Sequence, residues 1–206
     1  MALINQTING YTFTEFIGAG GFGSVYKANK DGNPYEIKVF REEYILQEYK
    51  QSGQKNRIQR EIDIMKTVNH PFLVKYVDDF KGNDLNVPSY FLVMEFAEGE
   101  TLQKLIKNKA LTNEAQIIPI FKNILEGIKG LHQVRGEDES KGIIHRDLKP
   151  ENIIVKGNKV KILDYGISKV IDYTALTSTG NFLGSPLYSS PEQITDSKNI
   201  DKRSDL

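Results

Sequence analysis

The residues best suited to chemistry lie in one stretch, residues 143–155, which reads IIHRDLKPENIIV. Its polar and charged residues separate two apolar runs, an arrangement that packing alone does not explain. Asp147 can accept a hydroxyl proton, Lys149 can neutralise a phosphoryl group during transfer, and Asn152 can offer an amide oxygen to a metal. This order of acid, base and amide indicates phosphoryl transfer.

A second carboxylate, Asp164, follows in the sequence Leu163-Asp164-Tyr165-Gly166, at the end of a predicted strand. Magnesium prefers oxygen ligands and retains water, so one Asp and one Asn suffice when nucleotide phosphates supply further ligands. We therefore predict a magnesium site that uses Asn152 and Asp164.

A glycine-rich segment near the N-terminus carries the pattern G-x-G-x-x-G at Gly18, Gly20 and Gly23. In dinucleotide-binding folds a helix follows this pattern, whereas residues 24–27 continue as a predicted strand. The segment is therefore expected to join two antiparallel strands, with backbone amides that can close over phosphates. Taken alone, the pattern is explained equally well by a structural hairpin.

Lys38 and Glu61 form a second candidate pair. Lys38 is flanked by Ile37 and Val39 in a predicted strand, so its side chain points away from theirs, toward the space under the glycine segment. Glu61 lies on a predicted helix. An ion pair between the two would hold the ammonium against phosphate oxygens, although each residue alone is also explained as a solvated surface side chain.

The elements that must position these residues are mostly strands in the first half of the chain. Alternating or apolar runs predict five strands, over residues 11–17, 24–29, 35–40, 72–80 and 90–96. A DGNP turn at residues 31–34 separates the second strand from the third. Apolar residues at helical spacing predict one helix after the third strand, through Ile58, Ile62, Met65 and Val68.

Helical patterns dominate beyond Gly99. One apolar stripe has a period of 3.6 residues, through Ile117, Phe121, Ile124, Ile128 and Leu131. Thr112 is the predicted N-cap of this helix, and Pro119 is expected to kink it. Two short strands around Gly157 and Asn158 predict a hairpin, and residues 171–191 read as a long loop.

Composition limits the classes of partner. The 206 residues include 27 Lys+Arg and 27 Asp+Glu, so bulk charge attracts neither nucleic acid nor an anionic membrane. The absence of cysteine excludes disulfides and thiolate metal sites, and it is compatible with a reducing cytoplasm. No apolar run approaches the roughly 18 residues of a membrane span. We expect a cytoplasmic location, no nucleic-acid partner and no membrane segment within these residues.

With its motifs in order along essentially the whole chain, the sequence resembles the catalytic domain of eukaryotic-like (Hanks-type) serine/threonine protein kinases. The segment SPEQ at residues 190–193 is similar to bacterial-type members, and Lys149 and Ser185 look like the serine/threonine branch. The resemblance implies an α+β, two-lobed protein-kinase-like fold. Residues 1–96 would form a five-stranded antiparallel N-lobe with one helix, and residues 97–206 a partial, mainly helical C-lobe.

The resemblance also implies roles for individual residues. Asp147 would be the catalytic base, Lys149 the phosphate contact, and Lys38 the partner of Glu61. The implied ligands of Mg²⁺ are Asn152 and Asp164. The implied nucleotide-binding residues, with Met94 as gatekeeper and the hinge at residues 95–97, are Ile17, Gly18, Gly20, Gly23, Val25, Lys38, Met94, Glu95, Ala97 and Ile154.

The implied function is transfer of the γ-phosphoryl group of Mg-ATP to Ser/Thr hydroxyls of protein substrates, with ATP near the hinge. The alternative is a catalytically weak or inactive pseudokinase or scaffold, while the LKPEN and SPE patterns disfavour a small-molecule kinase of related fold. By analogy with bacterial-type members, autophosphorylation is expected at Thr179 and then Thr177. An ordinary solvated loop is the alternative for that segment.

Three departures from the family pattern affect these expectations. Glu36 stands where a small Ala usually covers the adenine, and a carboxylate there costs desolvation. Tyr165 replaces the usual Phe and adds a hydroxyl that needs a partner. The chain ends at Leu206, where the family's central helix begins, so we expect Glu192 to lack its usual Arg partner and this chain alone to be inactive.

Overall fold

The computed structural model describes most of the chain, namely residues 3–20, 23–41, 62–63, 65–84, 86–134, 142–165, 186–195 and 200–206. Two compact units are present. The first comprises Met1–Arg60 and Lys75–Phe96, and the second comprises Glu61–Val74 and Ala97–Leu206. The division into lobes at residues 96 and 97 stays a prediction.

The first unit contains a six-stranded antiparallel sheet. Its strands are β1 (Thr7–Ile8), β2 (Tyr11–Gly20), β3 (Gly23–Lys30), β4 (Asn33–Arg41), β5 (Tyr76–Asp84) and β6 (Val87–Glu95), in the spatial order β1-β2-β3-β4-β6-β5. The five predicted strands are present. The turn between β3 and β4 is confirmed at Asp31 and Gly32, with positive φ angles of 52° and 77°. The predicted range of 31–34 was too long, because Asn33 and Pro34 pair with β3 as the start of β4.

The sixth strand, β1, was not predicted. It forms because the N-terminal segment is bonded to β2: the Asn5 N–H donates to the Phe13 carbonyl at 2.8 Å, and the Phe13 N–H donates to the Gln6 carbonyl at 2.9 Å. Leu3, at the start of this segment, is fully buried. Backbone pairing thus adds a strand that hydrophobic alternation alone did not indicate.

The predicted strand at residues 72–80 was wrong at its start, because β5 begins only at Tyr76. The residues before it belong to the second unit, and their backbone bonds lie within that unit. The Val74 N–H donates to the Ile162 carbonyl at 2.9 Å, and the Ile162 N–H donates to the Phe72 carbonyl at 2.8 Å. One apolar run is therefore divided between the two units, with Leu73 in an isolated β-bridge to Ile162.

The two faces of the large sheet carry different residues, since side chains alternate along a strand. One face forms the apolar core of the first unit, which contains Leu3, Tyr11, Phe13, Tyr26, Ala28, Ile37, Val39, Phe91 and Val93. Residues that alternate with this core lie on the opposite face, namely Lys27, Glu36, Lys38, Leu92 and Met94. The strand pattern thus places Lys38 away from the aromatic core, as predicted.

The second unit combines helices with a small sheet. Its strands are β7 (Glu100–Thr101), β8 (Ile153–Lys156) and β9 (Lys159–Ile162), and its helices are α1 (Leu102–Lys107), α2 (Glu114–Gln133) and α3 (Pro191–Thr195). Short 3₁₀ helices occur at Pro150–Asn152, Pro186–Tyr188 and Lys202–Asp205. Residues 62–63 and 65–67 are helical. The predicted hairpin is confirmed as β8 and β9.

The N-cap of α2 is Asn113, and the prediction of Thr112 was wrong. The Asn113 Oδ1 accepts the Gln116 N–H at 3.1 Å, which satisfies one of the first unpaired donors of the helix. The Thr112 hydroxyl instead donates to the Gln116 Oε1 at 3.2 Å. Pro119 lies inside the helix, and the kink there stays a prediction.

The buried face of α2 differs from the predicted stripe at its N-terminal end. Ile117 and Phe121 are 44% and 58% exposed, whereas the buried residues are Ile120, Ile124, Gly127, Ile128 and Leu131. The face is set by close contact at Gly127, where an added Cβ would lie 2.8 Å from Ile162 Cδ1 and 3.2 Å from Phe72 Cβ. No helix in the described ranges is long and apolar enough to cross a bilayer.

Candidate active site

The loop that carries Asp147 is held by a single carboxylate, that of Asp205. Its Oδ2 accepts the His145 N–H at 2.8 Å, and its Oδ1 accepts the Arg146 N–H at 2.9 Å. The His132 Nε2, on α2, lies 2.7 Å from Oδ2. Asp205 is 8% exposed, and it ends the 3₁₀ helix Lys202–Asp205. Three segments distant in sequence therefore meet at one buried charge.

Arg146 has backbone strain that these contacts compensate. Its φ of 69° lies in the left-handed region, which a residue with a side chain rarely adopts. Asp205 binds its N–H, and the Gln193 Nε2 donates to its carbonyl at 2.6 Å. Because both backbone polar groups are bonded, the unusual conformation is fixed just before Asp147.

His145 supports the same loop from the buried side. The ring is fully buried; its Nε2–H donates to the Leu163 carbonyl at 2.9 Å, and its Nδ1 accepts the Asp147 N–H at 3.3 Å. One donor and one acceptor define a neutral imidazole. Burial lowers the pKa of His145 below its ordinary value of 6.5, against the raising effect of Asp205. The neutral ring thus joins the loop to the segment before Asp164.

The predicted base, phosphate contact and amide ligand are brought together. The Lys149 Nζ lies 2.8 Å from the Asp147 Oδ2. The Asn152 Nδ2 donates to the Asp147 carbonyl at 2.8 Å and to its Oδ2 at 3.0 Å. The Asp147 side chain is 31% exposed, so its carboxylate remains accessible to a hydroxyl substrate. This cluster can accept a proton beside a positive charge.

The oxygen donors fit a magnesium ion. Because the Asn152 Nδ2 is directed at Asp147, the amide oxygen Oδ1 is turned away from that carboxylate. The Leu163 N–H donates to the Asn152 carbonyl at 2.8 Å, which ties Asn152 to the residue before Asp164. Asp164 itself follows β9 with a φ of 63°. One amide oxygen and one carboxylate are the donor types that Mg²⁺ prefers.

Tyr165 finds the hydroxyl partner that the sequence requires. Its side chain is fully buried, and its hydroxyl donates to the Val74 carbonyl at 2.5 Å. Val74 also bonds β9 through Ile162. The residue after Asp164 is therefore anchored in the second unit.

The glycine segment joins β2 and β3, as predicted. Gly18 pairs with Val25, and Gly20 pairs with Gly23 in antiparallel register. An added Cβ at Gly23 would lie 2.0 Å from the Val39 carbonyl oxygen, so a larger residue needs a backbone shift. Ile17, just before the segment, is 47% exposed.

The other predicted nucleotide residues of the first unit lie on β4 and β6. Lys38 pairs with Val25 on β3, and Met94 on β6 is 1% exposed. The Glu95 carboxylate accepts the Lys75 N–H at 2.9 Å, which fixes the start of the hinge segment. Ala97 and Ile154 belong to the second unit. Glu61 lies outside the described residues, so its pairing with Lys38 stays a prediction.

Glu36 is buried on the face that bears Lys38. It is 8% exposed, and the strand register places it between Lys27 on β3 and Met94 on β6. The Lys27 Nζ lies 4.3 Å from the centre of the Phe96 ring, in the hinge segment. The carboxylate therefore does not extend into water, and a cationic side chain is its neighbour across the sheet.

Two positioning residues, Asp205 and Gln193, were missed by the sequence interpretation. The sequence assigned no role to Asp205, and Gln193 entered only as part of the SPEQ segment. No local sequence pattern indicates that Asp205 binds residues 145 and 146, or that Gln193 binds Arg146.

Glu192 was expected to lack its Arg partner. Its carboxylate accepts the Ser204 hydroxyl, and this hydrogen bond lowers the Glu192 pKa.

Acid is expected to destabilise the protein through His145. Its folded pKa is lowered, so below about pH 6.5 the unfolded chain binds a proton that the folded chain does not. The contribution of His145 to the free energy of unfolding is therefore fully present above about pH 6.5. Below that pH the free energy of unfolding falls, by up to about 1.4 kcal/mol per pH unit. Unfolding by urea across this range should show a steeper loss for the parent than for His145→Gln. Equal slopes would remove His145 as the cause.

The family model of the protein kinase domain matches residues 11–206. The chain is 35% identical over 199 residues to the serine/threonine-protein kinase pkn2 of Myxococcus xanthus, and covers 92% of itself and 22% of that protein. It is 33% identical over 207 residues to pkn3 of the same organism, covering 95% of itself and 35% of pkn3. The chain thus spans about a third or less of these relatives.

A solved structure of the PknI kinase domain from Mycobacterium tuberculosis, in a mutant form, has a TM-score of 0.68 and 21% sequence identity. The match covers 100% of this chain and 72% of that one. It confirms the predicted protein-kinase-like α+β fold. With the family model matching nearly its whole length, the chain belongs to the protein kinase domain family.

Proposed function

We propose that this protein transfers the γ-phosphoryl group of Mg-ATP to Ser or Thr hydroxyls of protein substrates. The observation that carries the proposal is the cluster of Asp147, Lys149 and Asn152, joined by contacts of 2.8–3.0 Å. The names of the two Myxococcus relatives and the position of Lys149 support the serine/threonine specificity.

The Asp147 carboxylate is the proton acceptor in this proposal. A substrate hydroxyl that binds at its accessible side loses its proton to Asp147 as its oxygen attacks the γ-phosphorus. The bond from the γ-phosphorus to the bridging oxygen of ADP breaks in the same step, and ADP leaves with that electron pair. The Lys149 ammonium, already beside Oδ2, is positioned to bind an oxygen of the phosphoryl group. Attacking group and phosphoryl group are thereby held on one short segment, which lowers the entropic cost of their encounter.

The metal ligands and the glycine segment contribute charge stabilisation. Asn152 and Asp164 would hold Mg²⁺, which when bound neutralises phosphate charge and orients the phosphates. Lys38, on the face opposite the aromatic core, would bind phosphate oxygens together with backbone amides of residues 18–23. Adenine would lie near the hinge, residues 95–97.

A catalytically weak pseudokinase is the second candidate function. One observation favours it: Glu36, with 8% exposure, is a buried carboxylate where the family resemblance implies an adenine contact. A buried carboxylate next to a purine lowers affinity unless other groups compensate its charge. The intact Asp147 cluster favours catalysis, so nucleotide affinity distinguishes the two candidates.

The roles proposed for Asp147 and Asp164 predict that one variant loses phosphoryl-transfer rate and the other loses nucleotide affinity. Asp164→Asn should abolish the Mg²⁺-dependent part of nucleotide affinity, because it removes a metal ligand. In the full-length protein, Asp147→Asn should bind Mg-ATP normally and lose on the order of 100-fold in phosphoryl-transfer rate. Calorimetric titration with and without Mg²⁺, followed by rate measurement, separates them. Glu126→Gln, on the exposed side of α2, is the control, and equal nucleotide binding by both Asp variants would refute the assignment.

Removing the Glu36 carboxylate should strengthen nucleotide binding. If the Glu36 carboxylate faces the adenine with its charge uncompensated there, Glu36→Ala is expected to tighten Mg-ATP binding by roughly 1 to 3 kcal/mol, the scale for relief of an uncompensated buried polar group. Glu15 faces Lys27 from the other side and is exposed, so Glu15→Ala is the matched control and should change little. Unchanged affinity in Glu36→Ala would remove the main argument for a pseudokinase.

Autophosphorylation is proposed at Thr179 and then Thr177, both outside the described residues. A phosphate of about −1.5 to −2 charge could order the segment through charge-assisted bonds to basic side chains, and activity should rise. Mass spectrometry after incubation with Mg-ATP tests this, with the Thr177→Ala/Thr179→Ala variant as comparison. If the segment stays unmodified, or if the double variant is as active as the parent, the proposal is refuted and the alternative of an ordinary solvated loop stands.

A further inference from the structure

We infer that Gln193 is a positioning residue for the catalytic loop: its side-chain amide fixes the peptide unit that joins Arg146 to Asp147. The inference rests on the proposed function, since it assigns a cause to the orientation of the proposed base. It concerns a residue of the short helix α3, outside the cluster formed by Asp147, Lys149 and Asn152.

Gln193 is held by hydrogen bonds to both polar atoms of its side-chain amide and to its backbone N–H. Its Oε1 accepts the Ser190 N–H at 2.8 Å, and the Gln193 N–H approaches the Ser190 Oγ at 3.3 Å. This reciprocal pair is a capping box at the start of α3. The remaining amide group, Nε2, donates to the Arg146 carbonyl at 2.6 Å. One planar group therefore bridges two backbone segments.

Only an amide meets both demands. Oε1 must accept from a backbone N–H while Nε2 donates to a carbonyl, and Gln carries an acceptor and donors on the same planar end. A Glu in its place would keep the acceptor and lose the donor. Its second oxygen would then face the lone pairs of the Arg146 carbonyl. The structure therefore requires Gln at this position for a reason that helix capping does not cover.

The Arg146 carbonyl belongs to the same rigid peptide plane as the Asp147 N–H. Gln193 binds the carbonyl side of that plane, and the His145 Nδ1 accepts from its N–H side at 3.3 Å. The preceding N–H, that of Arg146, is held by Asp205. Losing the Gln193 contact frees the carbonyl of a residue with a φ of 69°. The plane can then rotate, and the Asp147 side chain follows it.

The test makes the same substitution, Gln to Glu, at two positions of the full-length protein, because the 206-residue chain alone is expected to be inactive. Gln193→Glu removes only the donor, and kcat should fall by about tenfold or more while the Kd for Mg-ATP stays within about twofold. Gln116→Glu is the matched control, because Gln116 uses Oε1 only as an acceptor, from the Thr112 N–H and hydroxyl, and a carboxylate keeps that role. Its kcat should equal that of the parent.

Amide hydrogen exchange at Asp147, measured without nucleotide, is the second readout, and it does not depend on activity. Gln193→Glu should accelerate exchange there, and Gln116→Glu should not. An unchanged kcat in an active parent, or unchanged exchange, overturns the inference. A parent that binds Mg-ATP without transferring phosphate instead refutes the proposed function, and the exchange measurement then decides the role of Gln193 by itself.

Discussion

The buried carboxylate of Asp205 is the interaction on which the geometry of the active site depends. An ionised group with 8% exposure is costly unless hydrogen bonds replace its water, and here two backbone N–H groups and one imidazole do so. The two N–H groups belong to His145 and Arg146, directly before the proposed base. Satisfying this one charge therefore fixes the loop that carries the proposed base.

The other features of the loop follow from that constraint. Arg146 can keep a left-handed conformation because Asp205 and Gln193 bind both sides of its backbone. His145 stays neutral because burial opposes its charging and because its two ring nitrogens already serve as donor and acceptor. In the proposed function, the hydrogen-bonded backbone around Asp147 would supply the preorganised geometry from which phosphoryl transfer gains most of its rate.

The sequence predicted what is encoded locally. The proximity of Asp147 and Asn152 was predictable because the two residues lie five positions apart in one loop, and their contact needs no distant partner. The buried face of α2 was predicted less well, since the exposure of Phe121 depends on what packs against the helix. Asp205 and Gln193 act on residues far from them in the chain, so no spacing pattern could reveal them. Long-range hydrogen bonds to backbone atoms leave no signature in residue type.

Hydrogen exchange at the His145 and Arg146 amides, compared between the parent and Asp205→Asn, tests this dependence most directly. An Asn side chain keeps the size of Asp but has one acceptor oxygen, so it cannot accept from both N–H groups at two different oxygens. Loss of a hydrogen bond to a charged group, about 1.5 to 3 kcal/mol, predicts exchange at least about tenfold faster at one of the two amides or at both. Exchange at both positions as slow as in the parent would contradict the account.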